Sequence, residues 1–360
     1  MRKVYTQLDG FRFVFIFLVL LEHWLPYGVF KYTKCGTIGV NLFFVLSGFL
    51  LGEILLEQKA TPVAKEIIIK NFFIRRSLRI FPLYFVVIIL YSVFFTSGQI
   101  FLWNATYTTN ILECININRV PLEFQHIWSL CVEEQFYLIF PFIIVFVPKE
   151  FFLKIFIGAI VIAFAWRFIS INSSVFESYP NKWSSRFPLS AFDALFGGAL
   201  LAYFKVHHYI KTSKFFSLKI VPVLLFSLIA ITIFLTVQQE AFWTDLFLRL
   251  VCTFIGIITI GYAIIIGYSG HVKRFLEHPA IAFMGKISYG IYLFHPFVQE
   301  IYFQYFPIKK LEELCKLVPK LQYNMYLPHF VILFVFTILI SVISFFLFEK
   351  RFLKLKRYFI

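Results

Sequence analysis

Four ionisable side chains fall within apolar stretches of the sequence, and their chemistry suits proton transfer. They are His23, Glu133, Asp193 and His295. Titratable groups in a membrane interior are costly, so those that occur there are usually functional. A neutral imidazole takes a proton near pH 7, so a hydroxyl group held beside it becomes a nucleophile. All four lie at a similar depth in their segments, which predicts one shared polar cavity open to the outside.

Arg12 and His23 lie eleven residues apart on the first apolar segment. Eleven steps of about 100° return to within about 20° of the starting direction, so both side chains share one helix face, about 16 Å apart along the axis. Arg12 would then lie near the inner mouth and His23 near the outer end. Arg12 could also extend to the inner interface as an anchor, and the spacing leaves both interpretations open.

A second polar face is predicted in the segment that follows Ile127. Ser129, Glu133 and Tyr137 are spaced i, i+4 and i+8 and therefore share one side of a helix. Glu133 and Asp193 could instead form purely structural ion pairs, an alternative that is stronger for Asp193. The candidate partners are Arg167, Arg186 and Arg249. His295 could equally cap a helix or pack near the interface.

Three arginines precede the third apolar segment, namely Arg75, Arg76 and Arg79. Guanidinium groups suit phosphate oxygens, so this stretch could hold a phosphorylated donor. Basic residues also anchor the cytoplasmic ends of membrane helices, and the spacing alone favours that simpler role. The basic residues within 350–357 are interpreted as anchors or lipid-facing charges.

The elements that must position these residues are apolar helices. Of 360 residues, 60% are hydrophobic and 15% charged, whereas a soluble domain is nearer half apolar and a quarter charged. This excludes an ordinary soluble enzyme, a disordered protein and a collagen-like fibre. Because unpaired backbone groups cannot lie in lipid, this composition predicts an all-α polytopic integral membrane protein. Ten segments are long enough to span a bilayer: 11–30, 38–56, 78–96, 127–147, 151–171, 187–204, 217–237, 246–268, 283–303 and 328–348.

Lys and Arg residues concentrate in alternate loops, which orients the chain. Placing both termini in the cytoplasm puts the basic clusters 57–79, 205–219 and 350–357 inside, as the positive-inside rule requires. The net charge of +15 is spread between apolar runs rather than on one patch, so no nucleic-acid partner is expected. We expect a single membrane domain over 1–360, with the lipid bilayer as its environment and without a fused soluble domain or a cleavable signal peptide.

A series of motifs in chain order resembles the membrane-bound acyltransferase-3 family, whose members O-acylate extracytoplasmic glycans. The first motif runs from Leu8 to Arg12 and includes the Arg-x10-His spacing that ends at His23. The later motifs lie at 39–49, 76–84, 128–137, 192–198, 287–295 and 348–352. Together they cover nearly the whole chain, and the family implies about ten helices. Departures from its pattern are Phe13 for a common Gly, Asn41 for a common acid and Arg351 for a common Pro.

The resemblance implies that His23 is the catalytic residue and Arg12 its partner in the motif, with Arg76 and Arg79 engaging the acyl donor. It marks a second essential motif at Ser129, Glu133 and Tyr137. It implies a cytoplasmic acyl-CoA donor, most simply acetyl-CoA, with no permanently bound cofactor. The implied acceptor is a glycan or glycolipid on the outer side of a bacterial plasma membrane.

These inferences combine into one mechanism. CoA phosphates would bind Arg76 and Arg79, and the pantetheine arm would reach His23, which removes the proton of a sugar hydroxyl. Glu133 would orient the imidazole, as a carboxylate does in other His-based sites. Ser129 and Tyr137 are candidates for stabilising the oxyanion, and Asp193 and His295 would support the substrate. An acyl-His relay is equally compatible with the sequence.

Two other functions remain open. A transporter or flippase could use the same charges as a relay, although the inverted repeats typical of that class are not visible. A glycosyltransferase would place its catalytic acids in a large outer loop. No metal site is predicted, because the Cys and His spacing matches none. Three cysteines expected outside could pair, namely Cys35, Cys114 and Cys315.

Overall fold

The computed structural model describes residues 5–25, 33–94, 100–176, 178–237, 241–306 and 326–359, and this part of the chain is helical with no strand. It contains the following α-helices: α1 (Thr6–Trp24), α2 (Cys35–Lys59), α3 (Lys65–Phe94), α4 (Phe101–Ala105), α5 (Thr109–Asn116), α6 (Trp128–Phe146), α7 (Phe152–Asn172), α8 (Pro180–Arg186), α9 (Phe192–His207), α10 (Tyr209–Phe216), α11 (Ile220–Val237), α12 (Ala241–Ile265), α13 (Gly270–Leu276), α14 (Pro279–Lys286), α15 (Ser288–Tyr305), α16 (Tyr326–Ser344) and α17 (Lys350–Leu355). Short 3-10 turns lie at Ile117–Arg119, Leu122–Ile127, Lys149–Phe151, Ser174–Phe176, Pro188–Ala191 and Lys356–Tyr358, and one π-helical turn at Phe345–Glu349.

Eight helical stretches of the described chain are long and apolar enough to cross a membrane. They are Cys35–Lys59, Lys65–Phe94, Leu122–Phe146, Lys149–Asn172, Pro188–His207, Ile220–Val237, Phe242–Ile265 and Tyr326–Tyr358. The predicted all-α class is therefore confirmed. The other two predicted segments correspond to α1 and α15, which carry more polar side chains. The count of ten and the cytoplasmic termini stay predictions, and the ends of segments 11–30 and 78–96 reach beyond the described residues.

The third helix begins earlier than the sequence predicts. The arginines were expected to precede a helix that starts near residue 78, but α3 begins at Lys65 and holds Arg75, Arg76 and Arg79 within its length. Pro62 lies just before the start, and residues 65–80 contain no glycine or proline to end a helix. The arginines are therefore held on a rigid helical surface rather than on a loop.

Helix α2 is central, because it packs against α1, α9 and α12. Gly48 and Gly198 allow α2 and α9 to approach closely. A Cβ atom at Gly48 would lie 1.9 Å from the Leu195 carbonyl oxygen, and one at Gly198 would lie 2.0 Å from the Val45 carbonyl oxygen. Small residues of this kind are how membrane helices bring their backbones together.

The periphery of the fold is apolar and exposed. Along α11 only Val221, Thr232 and Thr236 are buried, whereas Phe226 and Phe234 are 72% and 61% exposed. Large apolar side chains in such a continuous exposed face require hydrocarbon around them. Helix α11 is therefore a lipid-facing helix, and the polar groups of the chain collect elsewhere.

Two buried ion pairs connect the inner helices. Arg167 on α7 and Asp193 on α9 form a pair of 2.8 Å in which neither side chain is exposed. Lys205 on α9 contacts Glu53 on α2, which also accepts a 2.7 Å hydrogen bond from the hydroxyl of Tyr5. Removing one partner of such a pair leaves an uncompensated buried charge and should strongly destabilise the fold.

Candidate active site

Two imidazoles meet at the C-terminal end of α1. Helix α1 carries His23 in its last turn, and the middle of α15 carries His295. His23 Nδ1 lies 2.6 Å from His295 Nε2, and the rings stack with centroids 4.8 Å apart and planes 12° from parallel. His295 is fully buried and His23 is exposed. The two residues that the sequence placed at one depth are thus in direct contact.

The hydrogen bonds fix how the protons are distributed in this pair. His295 Nδ1 lies 2.7 Å from the backbone carbonyl oxygen of Tyr292, which can only accept, so His295 Nδ1 carries the proton. In neutral His295 the other nitrogen, Nε2, is then an acceptor. His23 Nδ1 must donate to it, which leaves the lone pair of neutral His23 on Nε2. This is the arrangement that a general base requires.

His23 lies on the wall of a cavity of about 350 Å³, which we call the histidine cavity. Its ionisable lining consists of Glu22, His23, Glu123, His126, Arg186 and Glu300. The imidazole is therefore reached from a polar space and does not face only packed side chains. A cavity of this size holds a small polar group such as a sugar ring.

A second cavity of about 390 Å³ lies toward the opposite end of α1, and we call it the arginine cavity. Its basic lining consists of Arg12, Arg75, Arg76, Arg79 and Lys356. The guanidinium of Arg76 lies 4.7 Å from the centre of the Tyr137 ring, and Arg12 forms a 2.5 Å ion pair with Asp9. Cations are thus in excess over carboxylates in this cavity, which suits an anionic ligand.

The two cavities share Val40 and Tyr292 as lining residues, so these side chains form the partition between them. The Tyr292 hydroxyl donates a 2.6 Å hydrogen bond to the His126 carbonyl oxygen. Ser129 Oγ lies 2.6 Å from the same hydroxyl, a hydrogen bond in which either oxygen can donate. Ser129, one of the predicted site residues, lines the arginine cavity and holds the partition in place.

Glu133 does not contact His23, although the mechanism predicted from the sequence has Glu133 orient that imidazole. Its Oε1 atom accepts a 2.6 Å hydrogen bond from Ser47 Oγ, which itself accepts a 3.3 Å hydrogen bond from the Tyr137 hydroxyl. Glu133 and Tyr137 line the arginine cavity, not the histidine cavity. Glu133 thus contacts Ser47 on α2, and the hydrogen-bond partner of His23 is His295 instead.

Asp193 is also separated from the imidazoles. It pairs with Arg167 in full burial, as the structural alternative predicted, and it lines neither of the two cavities. Arg186 has a different partner, since its Nε lies 3.3 Å from Glu113 Oε2. The expectation of one cavity shared by four ionisable groups is therefore wrong: only His23 lines the histidine cavity, with His295 directly behind it.

Sequence reasoning missed two residues that the structure brings to the site. His126 precedes the predicted fourth segment, where a histidine looks like an ordinary interfacial residue, yet it is 5% exposed and lines the histidine cavity. Lys356 was interpreted as an anchor or lipid-facing charge, yet it lines the arginine cavity. The Arg75 guanidinium donates a 3.2 Å hydrogen bond to the Phe359 carbonyl oxygen, which helps to hold this C-terminal segment over the cavity.

Comparison with known proteins places the chain in a family. A family model described as an acyltransferase domain, Acyl_transf_3, matches residues 5–346. The chain belongs to this acyltransferase family. It is 29% identical over 323 residues to a peptidoglycan O-acetyltransferase, OatA, of Listeria monocytogenes, a match that covers 82% of this chain and 49% of that protein. It is 26% identical over 309 residues to the O-acetyltransferase OatA of Staphylococcus aureus strain NCTC 8325, with coverages of 80% and 49%.

The chain therefore spans about half the length of the curated relatives it matches. No solved structure matches it. The resemblance inferred from the motifs is confirmed, and so is the class of enzyme, a transferase of acyl groups. Within the described residues no group of three His, Cys, Asp or Glu side chains is placed to hold a metal ion. Among the described cysteines, Cys35 and Cys114 form no disulfide, and Cys315 lies outside the described residues.

Proposed function

We propose that the protein is a membrane O-acyltransferase that moves an acyl group, acetyl in the simplest case, from cytoplasmic acyl-CoA to a hydroxyl of an extracytoplasmic glycan or glycolipid. The observation that carries the proposal is the 2.6 Å hydrogen bond between His23 and His295. His23 lines one cavity, and a second cavity beside it is lined by several cations. Family membership supports acyl transfer, and the similarity to a peptidoglycan O-acetyltransferase supports a glycan acceptor. The protein would work in a bacterial plasma membrane as a single domain with cytoplasmic termini.

The arginine cavity is the proposed entry for the donor. The phosphates of CoA are anionic, and Arg76 and Arg79 lie one turn apart on the same rigid helix. Guanidinium groups bind phosphate oxygens through paired, charge-assisted hydrogen bonds. Arg12 contributes at the same cavity. The thioester end of the donor would then point toward the partition formed by Val40 and Tyr292.

The histidine cavity is the proposed site of the acceptor hydroxyl. His23 Nε2 takes the hydroxyl proton as the oxygen attacks the thioester carbonyl carbon. The tetrahedral intermediate collapses with cleavage of the C–S bond, and the proton on His23 passes to the departing CoA thiolate. His295 Nε2 accepts the hydrogen bond from His23 Nδ1–H throughout, which keeps the His23 imidazole in the tautomer that the reaction needs. The products are the O-acyl ester and CoA.

An acyl-His relay uses the same lone pair differently. His23 Nε2 would attack the thioester first, and the hydroxyl would then attack the acyl-imidazole. The two routes differ in one observable. A relay accumulates acetyl-labelled protein when acetyl-CoA is supplied without acceptor, whereas direct base catalysis does not.

A sidedness assay tests the proposed function. The protein is reconstituted in liposomes in defined orientation, with acetyl-CoA on the side of the arginine cavity and an oligosaccharide on the other side. We expect acetylated sugar and free CoA in equal amounts, and none when the donor is supplied only on the sugar side. Solute flux without any acyl donor, together with no sugar ester, would favour the transporter alternative and contradict the proposal.

A further inference from the structure

His126 and Glu123 occupy matching positions on one short element. The 3-10 turn Leu122–Ile127 precedes α6, and side chains three residues apart in a 3-10 helix eclipse one another. Both side chains line the histidine cavity. The His126 ring centroid lies 5.2 Å from that of His295. The two residues are thus held together on the cavity wall, next to the imidazole pair.

Both residues have polar atoms without a partner. His126 is 5% exposed, and neither of its ring nitrogens makes a well-formed hydrogen bond with the described residues, although the backbone of Glu123 lies near the ring. Glu123 Oε2 is likewise buried without a hydrogen bond from that part of the chain. Buried polar atoms need hydrogen-bond partners, so these atoms can bind the polar groups of a ligand that enters the cavity.

The missing partners define the chemistry of that ligand. A neutral imidazole has one donor and one acceptor nitrogen, and a carboxylate only accepts. A hydroxyl group both donates and accepts, so neighbouring sugar hydroxyls can bind both residues at once. An amino group can also donate to Glu123. A purely apolar ligand would leave every one of these atoms unpaired.

The charges of the cavity restrict the class further. Glu22, Glu123 and Glu300 line it, against Arg186 as the cation. Arg186 is partly engaged, because its Nε lies 3.3 Å from Glu113 Oε2 and its guanidinium lies 4.2 Å from the centre of the Trp128 ring. An anionic sugar would meet an excess of carboxylates, and like charges in a confined polar space repel. The arginine cavity has the opposite balance.

We propose that the histidine cavity is the acceptor subsite for an uncharged or amino-bearing sugar, bound through hydroxyl or amino groups by His126 and Glu123. The inference rests on the proposed function, since it places the acceptor hydroxyl next to His23. It adds the charge class of the acceptor and two residues that bind it.

The test compares three tetrasaccharides as acceptors in the liposome assay: chitotetraose, its de-N-acetylated tetraglucosamine form and tetragalacturonate. We expect the first two to be acetylated and tetragalacturonate to be at least tenfold poorer in kcat/KM. His126→Phe should raise the KM for the sugar about tenfold or more and leave the KM for acetyl-CoA unchanged. His126→Gln should recover part of that loss, because an amide also donates and accepts.

Glu123→Gln should reduce the discrimination against tetragalacturonate, whereas Glu57→Gln, which removes an exposed carboxylate on α2, should leave it unchanged. Equal use of tetragalacturonate, or an unchanged sugar KM in His126→Phe, would overturn the inference. So would acceptance of none of the three sugars by a protein that still binds CoA and slowly hydrolyses acetyl-CoA. A protein that neither binds CoA nor cleaves its thioester would instead contradict the proposed function.

Discussion

The arginine and histidine cavities have similar volumes, about 390 and 350 Å³, but opposite chemistry. The charged side chains that line the first are mainly guanidinium groups, whereas carboxylates and imidazoles predominate among those that line the second. Helix α1 supplies Arg12 to the first and His23 to the second. In the proposed function, this difference lets one chain bind an anionic donor and a hydroxyl acceptor in separate spaces of suitable charge.

The partition between the cavities is where this separation has to be overcome. Tyr292 and Val40 line both spaces, and the Tyr292 hydroxyl is held by Ser129 and by the backbone of His126. An acyl group that travels from the cations to His23 must pass this point. Substitutions in each cavity and in the wall between them should therefore have separate effects on donor binding, turnover and stability.

Removing the cations should give the largest effect on the donor. Each charged hydrogen bond to a phosphate contributes about 1.5–3 kcal/mol, so Arg76→Gln with Arg79→Gln should weaken CoA binding about 100-fold or more. The KM for the sugar should not change. Binding of CoA to the purified protein, measured by calorimetry, provides the check, with Arg351→Gln as a matched control because Arg351 is exposed. Unchanged CoA affinity in the double variant would break the assignment of the two cavities.

Removing the second imidazole should lower turnover without affecting donor binding. His295→Phe leaves His23 Nδ1 without its acceptor. General acid–base catalysis contributes about 10²–10⁴-fold, so kcat should fall toward the lower end of that range. His329→Gln is the matched control, because His329 is a buried histidine bonded to Tyr302 outside both cavities. The measurement is kcat of the two variants with saturating acetyl-CoA, which should fall in His295→Phe and stay close to wild type in His329→Gln. Equal kcat in wild type and His295→Phe would show that His295 does not orient the base.

The partition should give a smaller effect. Tyr292→Phe removes one hydroxyl that serves Ser129 and the His126 carbonyl, and the loss of a buried hydrogen bond costs about 1–3 kcal/mol. We expect a lower midpoint of thermal unfolding and unchanged CoA affinity, because the cations remain in place. A change in CoA affinity as large as that of the arginine variants would mean that the two cavities are not separate.

The smallest predicted effect concerns Glu113, which pairs with the Arg186 that lines the histidine cavity. Burial raises the pKa of Glu113 from its usual 4.5 to about 7, against the opposing influence of Arg186. The folded protein therefore holds this proton to higher pH than the unfolded chain does. Stability is then lost as the pH rises from about 4.5 to about 7. The thermal unfolding midpoint should therefore fall between pH 5 and pH 8, and it should fall less in Glu113→Gln than in wild type. An equal fall in both proteins would contradict the raised pKa of Glu113.

Much of the fold was predictable from the sequence because long apolar segments have few alternatives in lipid. The phase of Arg12 and His23, and the shared face of Ser129, Glu133 and Tyr137, also follow from helix geometry alone. Contacts between helices do not follow from the geometry of a single helix. Which imidazole or carboxylate meets His23 depends on the rotation and depth of α6 and α15, and neither is encoded in local spacing.

The two residues missed by sequence reasoning illustrate the same limit. His126 lies at the boundary of an apolar segment and Lys356 within a basic terminus, where such residues ordinarily face water or lipid headgroups. Only the folding of the 3-10 turn against α15, and of the C-terminal segment against α3, turns them toward the cavities. Local composition carries no trace of either contact.

The most direct test of the central claim is the turnover of purified His23→Ala in liposomes, with acetyl-CoA on the arginine side and chitotetraose on the other. A general base contributes about 10²–10⁴-fold, so kcat should fall by that factor while CoA affinity and the unfolding midpoint stay close to wild type. Turnover equal to wild type in a folded, CoA-binding His23→Ala protein would contradict the claim.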